Sequence, residues 1–283
     1  MNRTAKDHAS SKLFLWDKRT LYIGPLKEAI SLSNGAATLI IALDGEMTIS
    51  NKKDGSPAIT CRSLLIPPGE QVTIDPGKTI IANCYLDAMG EDLHCLSSLA
   101  NHKYGKGGYC LDNENELIKT ILPIYENTTS YNEAYDVLES CLNYSSPSKS
   151  KDKFSVLKKK YKRDKRVERI IEIIKSQIDN NLSLHDLSEE VGLSAPRLMQ
   201  IFKQQTGIPI RRYRLWHRLY VTGEKLSQGM SLTQAALSSG FTDSAHLSNT
   251  FKDMLGMSPR SILTQSHGLK IFINNNQLPN INR

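Results

Sequence analysis

The sequence is poor in the features of a membrane, secreted or metal-dependent protein. No apolar run approaches the roughly 20 residues needed to cross a bilayer, which excludes a spanning helix. The opening MNRTAKDHASSK lacks the apolar core of a secretory signal, so a soluble, cytoplasmic protein is expected. The five cysteines (Cys61, Cys84, Cys95, Cys110, Cys141) are odd in number and form no CxxC pair. They read as reduced, mostly buried thiols, and nothing in the sequence marks a redox sensor among them. Cys95 and Cys110 with His94 and His102 could be drawn as a zinc set, but they lack the tight ligand pairs that structural zinc uses. No metal, no cofactor and no catalytic residue is expected.

Charge is unevenly spread. The chain has 36 Lys and Arg against 29 Asp and Glu, yet from Lys151 onward there are 22 basic and 11 acidic residues, net +11. Residues 1–150 carry 14 against 18, net −4. A phosphate backbone rewards such a concentration through counterion release, whereas mere solubility does not require it.

The basic half contains one stretch written twice, 48 residues apart, as SLHDLSEEVGLSAPRLMQIFKQQTGIP from Ser183 and SLTQAALSSGFTDSAHLSNTFKDMLGMSP from Ser231. Each copy runs Ser-Leu, a Gly nine positions on (Gly192, Gly240), a Phe-Lys pair (Phe202-Lys203, Phe251-Lys252) and a Gly four beyond the Lys (Gly207, Gly256). Ser183 with Asp186, and Ser231 with Gln234, have the spacing of N-cap and N3 partners at a helix start. Gly192 and Gly240 suit the left-handed turn that lets a second helix cross the first. Leu198, Ile201 and Phe202, then Leu247, Phe251 and Met254, form one apolar stripe per second helix. Gly207 and Gly256 stand at C-cap positions, with Pro209 and Pro259 placed to enter the next helix. Between the copies Arg211–Leu226 reads as a long connecting helix with Leu215, Trp216, Leu219 and Leu226 on or near a core face.

From about Val167 to Leu263 the chain resembles the DNA-binding domain of the AraC/XylS family of bacterial transcription regulators. The resemblance rests on Ala235-Ala236, Gly240-Phe241, His246-Leu247-Ser248, Thr250-Phe251-Lys252 and Gly256-Met257-Ser258-Pro259. It implies seven helices, two helix-turn-helix units and one linker helix. Where that family continues with an aromatic-Arg pair after Ser-Pro, this chain has Ser261-Ile262.

A second helix of such a unit presents its first turns to base edges, and two on one linker should read two major-groove segments about one helical turn apart. In the first unit Pro196, Arg197, Met199 and Gln200 are the candidates for base contact, Arg having the donors for guanine and Gln the pattern for adenine. By family register Arg197 falls one step round, where a phosphate contact is equally open. In the second unit Ser244, Ala245 and Asn249 fall on base-facing positions, with His246 beside them. Asn249 is the natural adenine reader. Ser194, Lys203, Ser248 and Lys252 are assigned to phosphates, which fix register without reading sequence. For each of these the alternative is an ordinary solvated helix residue. His185 and His217 read as surface or partly buried polar residues.

The first half has a different period. Thr38–Ile49, Ala58–Gly69, Gln71–Asp75 and Thr79–Leu86 are short β-rich runs punctuated by Asp-Gly, Pro-Pro-Gly and Pro-Gly. They predict a small barrel or jelly roll. SLLIPPGEQVTIDPG is similar to a segment of cupin-like domains, common effector-binding partners of the AraC-type module. Trp16, Tyr22 and Tyr85 are candidate lining. No His occurs between Leu13 and Leu86, so the metal-holding set of a cupin-type enzyme is missing. Residues 91–143 read as helical, with Pro123 kinking or dividing the first helix. Such stripes pair across a dimer or pack on their own domain.

The fold expected is α+β in two domains: a cupin-like β-barrel or jelly roll with following helices over 1–144, and an all-α double helix-turn-helix domain over 166–265. A basic linker over 145–165, with nine Lys or Arg, is either solvated or laid along phosphates. The Asn-rich tail over 266–283 is read as mobile or as a short added strand. The function expected is a sequence-specific, bipartite-site regulator, an activator, and not an enzyme. Double-stranded DNA and RNA polymerase are the expected partners, with a small-molecule effector and a homodimer as further expectations and no membrane. A nonspecific nucleoid-type protein would share the basic half without needing two differently worded recognition helices.

Overall fold

The computed structural model describes residues 10–26, 28–33, 36–51, 56–86, 92–93, 96, 100–104, 108–143, 164–178, 182–255, 270–273 and 276–277. The β-rich part holds β1 (Lys12–Leu15), β2 (Thr20–Pro25), β3 (Ile30–Ser33), β4 (Thr38–Ala42), β5 (Met47–Asn51), β6 (Ser56–Cys61), β7 (Ser63–Ile66), β8 (Gln71–Asp75), β9 (Ile80–Tyr85), β10 (Ala100–Tyr104) and β11 (Gly108–Leu111). Helices α1 (Glu114–Glu126) and α2 (Tyr131–Asn143) come next. The helical part holds α3 (Lys165–Ser176), α4 (Leu184–Glu190), α5 (Ala195–Thr206), α6 (Ile210–Ser227), α7 (Leu232–Ser238) and α8 (Ser244–Leu255). Two strands close the described chain, β12 (Lys270–Ile273) and β13 (Asn276–Gln277).

Two sheets stack, one ordered β10-β11-β7-β4-β9-β2-β1-β12-β13 and the other β3-β8-β5-β6. Every residue of β4 is buried, because alternate side chains enter different cores. Leu39 and Ile41 face the core shared with α1 and α2, where Leu117, Ile121, Leu138 and Leu142 are buried. Ile40 and Ala42 face the core between the sheets, with Met47, Ile49, Val72 and Ile74. The result is three layers, small sheet, large sheet and helix pair. With the helical part from α3 to α8 this is the α+β architecture expected from the sequence.

Several sequence expectations need correction. Residues 100–104 and 108–111, expected to be helical, pair as the antiparallel strands β10 and β11, with Leu111 and Tyr104 buried. Pro123 does not divide α1. It sits in the last turn, and its own carbonyl accepts the backbone N–H of Asn127. The carbonyls at that end are held by the buried Lys12, whose Nζ donates to Ile124 O at 2.6 Å and also to Tyr125 and Asn127. The runs Thr38–Ile49 and Ala58–Gly69 are each two strands, broken at Asp44-Gly45 and at Arg62. The tail, by contrast, contains the short added strand, one of its two expected forms: β12 pairs parallel with β1, Lys270 opposite Lys12, burying Ile271 and Ile273 and stacking Phe272 on Phe14 at 4.6 Å.

Of the aromatic residues offered as barrel lining, Trp16 packs toward α2 against Tyr131 and Tyr135, and Tyr22 is buried between the sheets. Tyr85 faces the helical part, beside Trp216 and Met254. Other contacts join the two parts. Lys175 Nζ lies 2.8 and 2.7 Å from the carboxylate oxygens of Asp17, and a Cβ at Gly207 would meet Pro68 Cγ at 2.9 Å.

Candidate nucleic-acid interface

The first unit starts on a reciprocal cap. Ser183 Oγ accepts the N–H of Asp186 at 3.1 Å, and the Asp186 carboxylate accepts the N–H of Ser183 at 2.7 Å, satisfying two donors that a helix start leaves unpaired. That bonding holds the Asp186 carboxyl below its ordinary range. Gly192, at φ +63°, turns the chain into α5, and Ser194 is its N-cap, with no capping bond from its hydroxyl. α5 buries Leu198, Ile201 and Phe202, the last set edge-on to Tyr213 of α6. The opposite face leaves Ser194, Pro196, Arg197, Met199, Gln200 and Lys203 exposed. Arg197 Nη1 donates to Gln200 Oε1 at 2.8 Å, so two of the candidate readers are already oriented against one another.

The second unit repeats the construction. Ser231 Oγ accepts from Gln234 N–H at 3.3 Å, and Gln234 Oε1 accepts from Ser231 N–H at 3.2 Å. Gly240 has φ +81°. Asp243 then takes the capping role ahead of α8, accepting the His246 N–H at 2.7 Å, which holds its carboxyl below the ordinary range. Leu247 and Met254 are buried and Phe251 is half-buried. Ala245, Asn249 and Lys252 are exposed, while Ser244, His246 and Ser248 are half-buried. Two of these are tied back. Ser248 Oγ donates to Ser244 O at 2.8 Å, and His246 Nδ1 lies 3.1 Å from Thr242 Oγ1 with its ring edge-on to Phe241.

α6 bridges the units. Ile210 and Tyr213 belong to the first unit's core, Leu215 and Leu219 to that of the second with Ala236, Phe241 and Leu247. Arg212 Nη2 lies 3.8 Å from Asp253 of α8. Because each core holds a different part of one helix, the helix sets the separation of α5 and α8. His185 is exposed, as expected, but His217 on α6 is buried. Sequence reasoning passed over Arg211, Arg214 and Arg218, whose spacing of three and four on a helix places them on one face.

Gly256, Pro259, Ser261-Ile262 and most of the basic segment 145–165 lie outside the described residues, as would the seventh helix of the expected domain. His94 and Cys95 of the zinc set considered also lie outside them. Among the described residues no three His, Cys, Asp or Glu side chains cluster as metal ligands, and no helix is long and apolar enough to cross a membrane.

Residues 187–265 match the helix-turn-helix domain family. The Msm operon regulatory protein of Streptococcus mutans is 32% identical over 94 residues, 33% of this chain and 34% of that protein. The chain matches about a third of the length of the curated relatives. Among solved structures, an apo form of a ToxT variant from Vibrio cholerae superposes with a TM-score of 0.54 at 16% identity, covering 86% of this chain and 96% of that one. ToxT with a bound unsaturated fatty acid gives 0.53 at 16%, covering 87% and 94%. At that identity the likeness is one of fold.

Two capped helix pairs on one bridging helix form a double helix-turn-helix arrangement. Residues 187–265 are a helix-turn-helix domain, and the curated proteins that this chain resembles over part of their length are named as regulators.

Proposed function

We propose that the chain is a sequence-specific transcription activator that reads a bipartite operator in the cytoplasm. The observation that carries this reading is the pair of recognition helices, α5 and α8, each with an apolar face buried and a differently worded polar face exposed, on a single bridging helix. Such a pair suits two successive major-groove segments about one turn apart. Pro196, Arg197, Met199 and Gln200 read bases in one half, and Ser244, Ala245, His246 and Asn249 in the other. Ser194, Lys203, Ser248 and Lys252 hold phosphates. The back-bonding of Ser248 and His246 supports smaller contributions from those two than from Asn249 and Lys252.

The domains are taken as 1–144, 145–165, 166–265 and 266–283, the first sensing or dimerising. Its cupin-like character is part of this reading. The contacts of Tyr85, Asp17 and Pro68 with the helical part support a route by which an effector or a dimer partner alters DNA binding. A small-molecule effector, a homodimer and RNA polymerase complete the set of partners. Transcription from a promoter carrying the selected operator, with and without the protein, tests the assignment. Increased transcript is expected, and unchanged transcript with the operator occupied would refute activation.

A further inference from the structure

A cavity of about 570 Å³ opens between the two helix-turn-helix units. Its apolar wall is Leu184, Leu187, Ile210 and Leu215. Its charged wall is Lys203 of α5 with Arg211, Arg214 and Arg218 of α6, and no acidic residue lines it. Met199 and His246, from the two recognition helices, stand at its two sides. The cavity therefore opens between the two exposed faces assigned above to DNA. Burial and the neighbouring charge of Arg218 hold the Arg214 guanidinium below its ordinary value, against the opposing charge of Asp186, so positive charge gathers along this wall with one carboxylate near it. A duplex engaged by both recognition helices must carry its sugar-phosphate strand across the space between them, and phosphodiesters with apolar deoxyribose faces match a wall of guanidinium groups and aliphatic side chains.

We propose that this groove is a third DNA-contacting element, in which Arg211 and Arg214 of the bridging helix clamp phosphates of the strand that passes between the two major-groove segments. The proposal rests on the bipartite reading above. It makes α6 a contact surface as well as a spacer, and because the contact is with phosphate it adds affinity without reading bases.

The test is the dependence of the dissociation constant on KCl concentration, measured for the full chain on a bipartite duplex obtained by selection. Each phosphate contact contributes about 0.9 to the slope of log K against log salt. Arg211→Ala/Arg214→Ala is expected to lower the slope by about two such contacts while leaving the preferred sequence unchanged. Arg211→Lys/Arg214→Lys, which keeps the charge, is expected to retain it. Lys119→Ala, the loss of one positive charge at an exposed position of α1, is expected to change nothing. If the alanine pair does not fold by circular dichroism, Arg211→Gln alone, at an exposed position, is expected to lower the slope by about one contact. An unchanged slope in folded groove variants, or an equal drop in the Lys119 variant, would overturn the clamp while the bipartite reading stands. Failure of the wild-type chain to select any motif would remove the bipartite reading and the clamp with it.

Discussion

The ring of Tyr85, at the end of β9, lies against Trp216 of α6, with centroids 5.1 Å apart and planes inclined by 48°. Met254 of α8 is buried in the same cluster. The sheet thus touches both the bridging helix and a recognition helix through one aromatic residue. Tyr85→Ala would empty a site that is 2% exposed and is expected to destabilise the chain by about 3 kcal/mol, as large aromatic truncations do. Chemical denaturation checks this, with quenching of Trp216 fluorescence as a local reporter. A loss below about 1 kcal/mol would mean that the contact does not bind the two parts together.

The caps make a separable prediction. Ser183→Ala and Ser231→Ala each remove a side-chain acceptor that a backbone N–H uses, and each is expected to cost about 1 kcal/mol. Ser194 is also an N-cap, but its hydroxyl makes no capping bond. Ser194→Ala is therefore expected to leave the denaturation midpoint nearly unchanged and to weaken binding to all DNA sequences alike. Equal destabilisation by the three substitutions would contradict the assignment of Ser194 to phosphate.

Base reading and backbone holding separate at α8. Asn249→Ala is expected to lose discrimination at one base position, by about 1–3 kcal/mol if the contact is bidentate. Lys252→Ala is expected to weaken operator and random duplex by the same factor. The measurement is a set of operator variants titrated against each protein, and an equal loss on specific and random DNA for Asn249→Ala would remove it from the readers.

His217 supplies a pH dependence. Burial, and next the charge of Lys175, lower its pKa from the ordinary 6.5, and its Nε2 is buried with no hydrogen-bond partner. A lowered histidine pKa means that the unfolded chain takes up a proton that the folded chain resists. Stability is therefore full above the ordinary value and falls as the pH drops below it toward the folded pKa. Denaturation midpoints across this window are expected to decline in the wild type and to flatten in His217→Gln. A parallel decline in both would assign the acid sensitivity elsewhere.

The sequence made the helical region legible because its signals are local. Caps, glycine turns and apolar stripes lie within one or two turns of each other, and the structure reproduces both capping boxes and the positive φ of Gly192 and Gly240. Strand pairing between distant segments was not legible. β1 contains Lys12, which reads as exposed until the end of α1 is brought over it, and the tail strand finds β1 across more than 250 residues. The β10–β11 pair lay in a region read by the helical stripes C-terminal to it, and its pairing to β7 through Tyr109 and Leu65 is set by the sheet. At the interface the exposed face of α5 followed from periodicity. The guanidinium row of α6 did not stand out, because its helix was read only for its apolar positions.

Selection of binding sites from a random DNA pool by the purified full chain tests the central claim most directly. Two conserved blocks with centres about one helical turn apart are predicted, one altered by Gln200→Ala and the other by Asn249→Ala. Recovery of DNA without any shared motif, with binding that depends on salt alone, would contradict it and leave a basic protein that binds DNA without reading it.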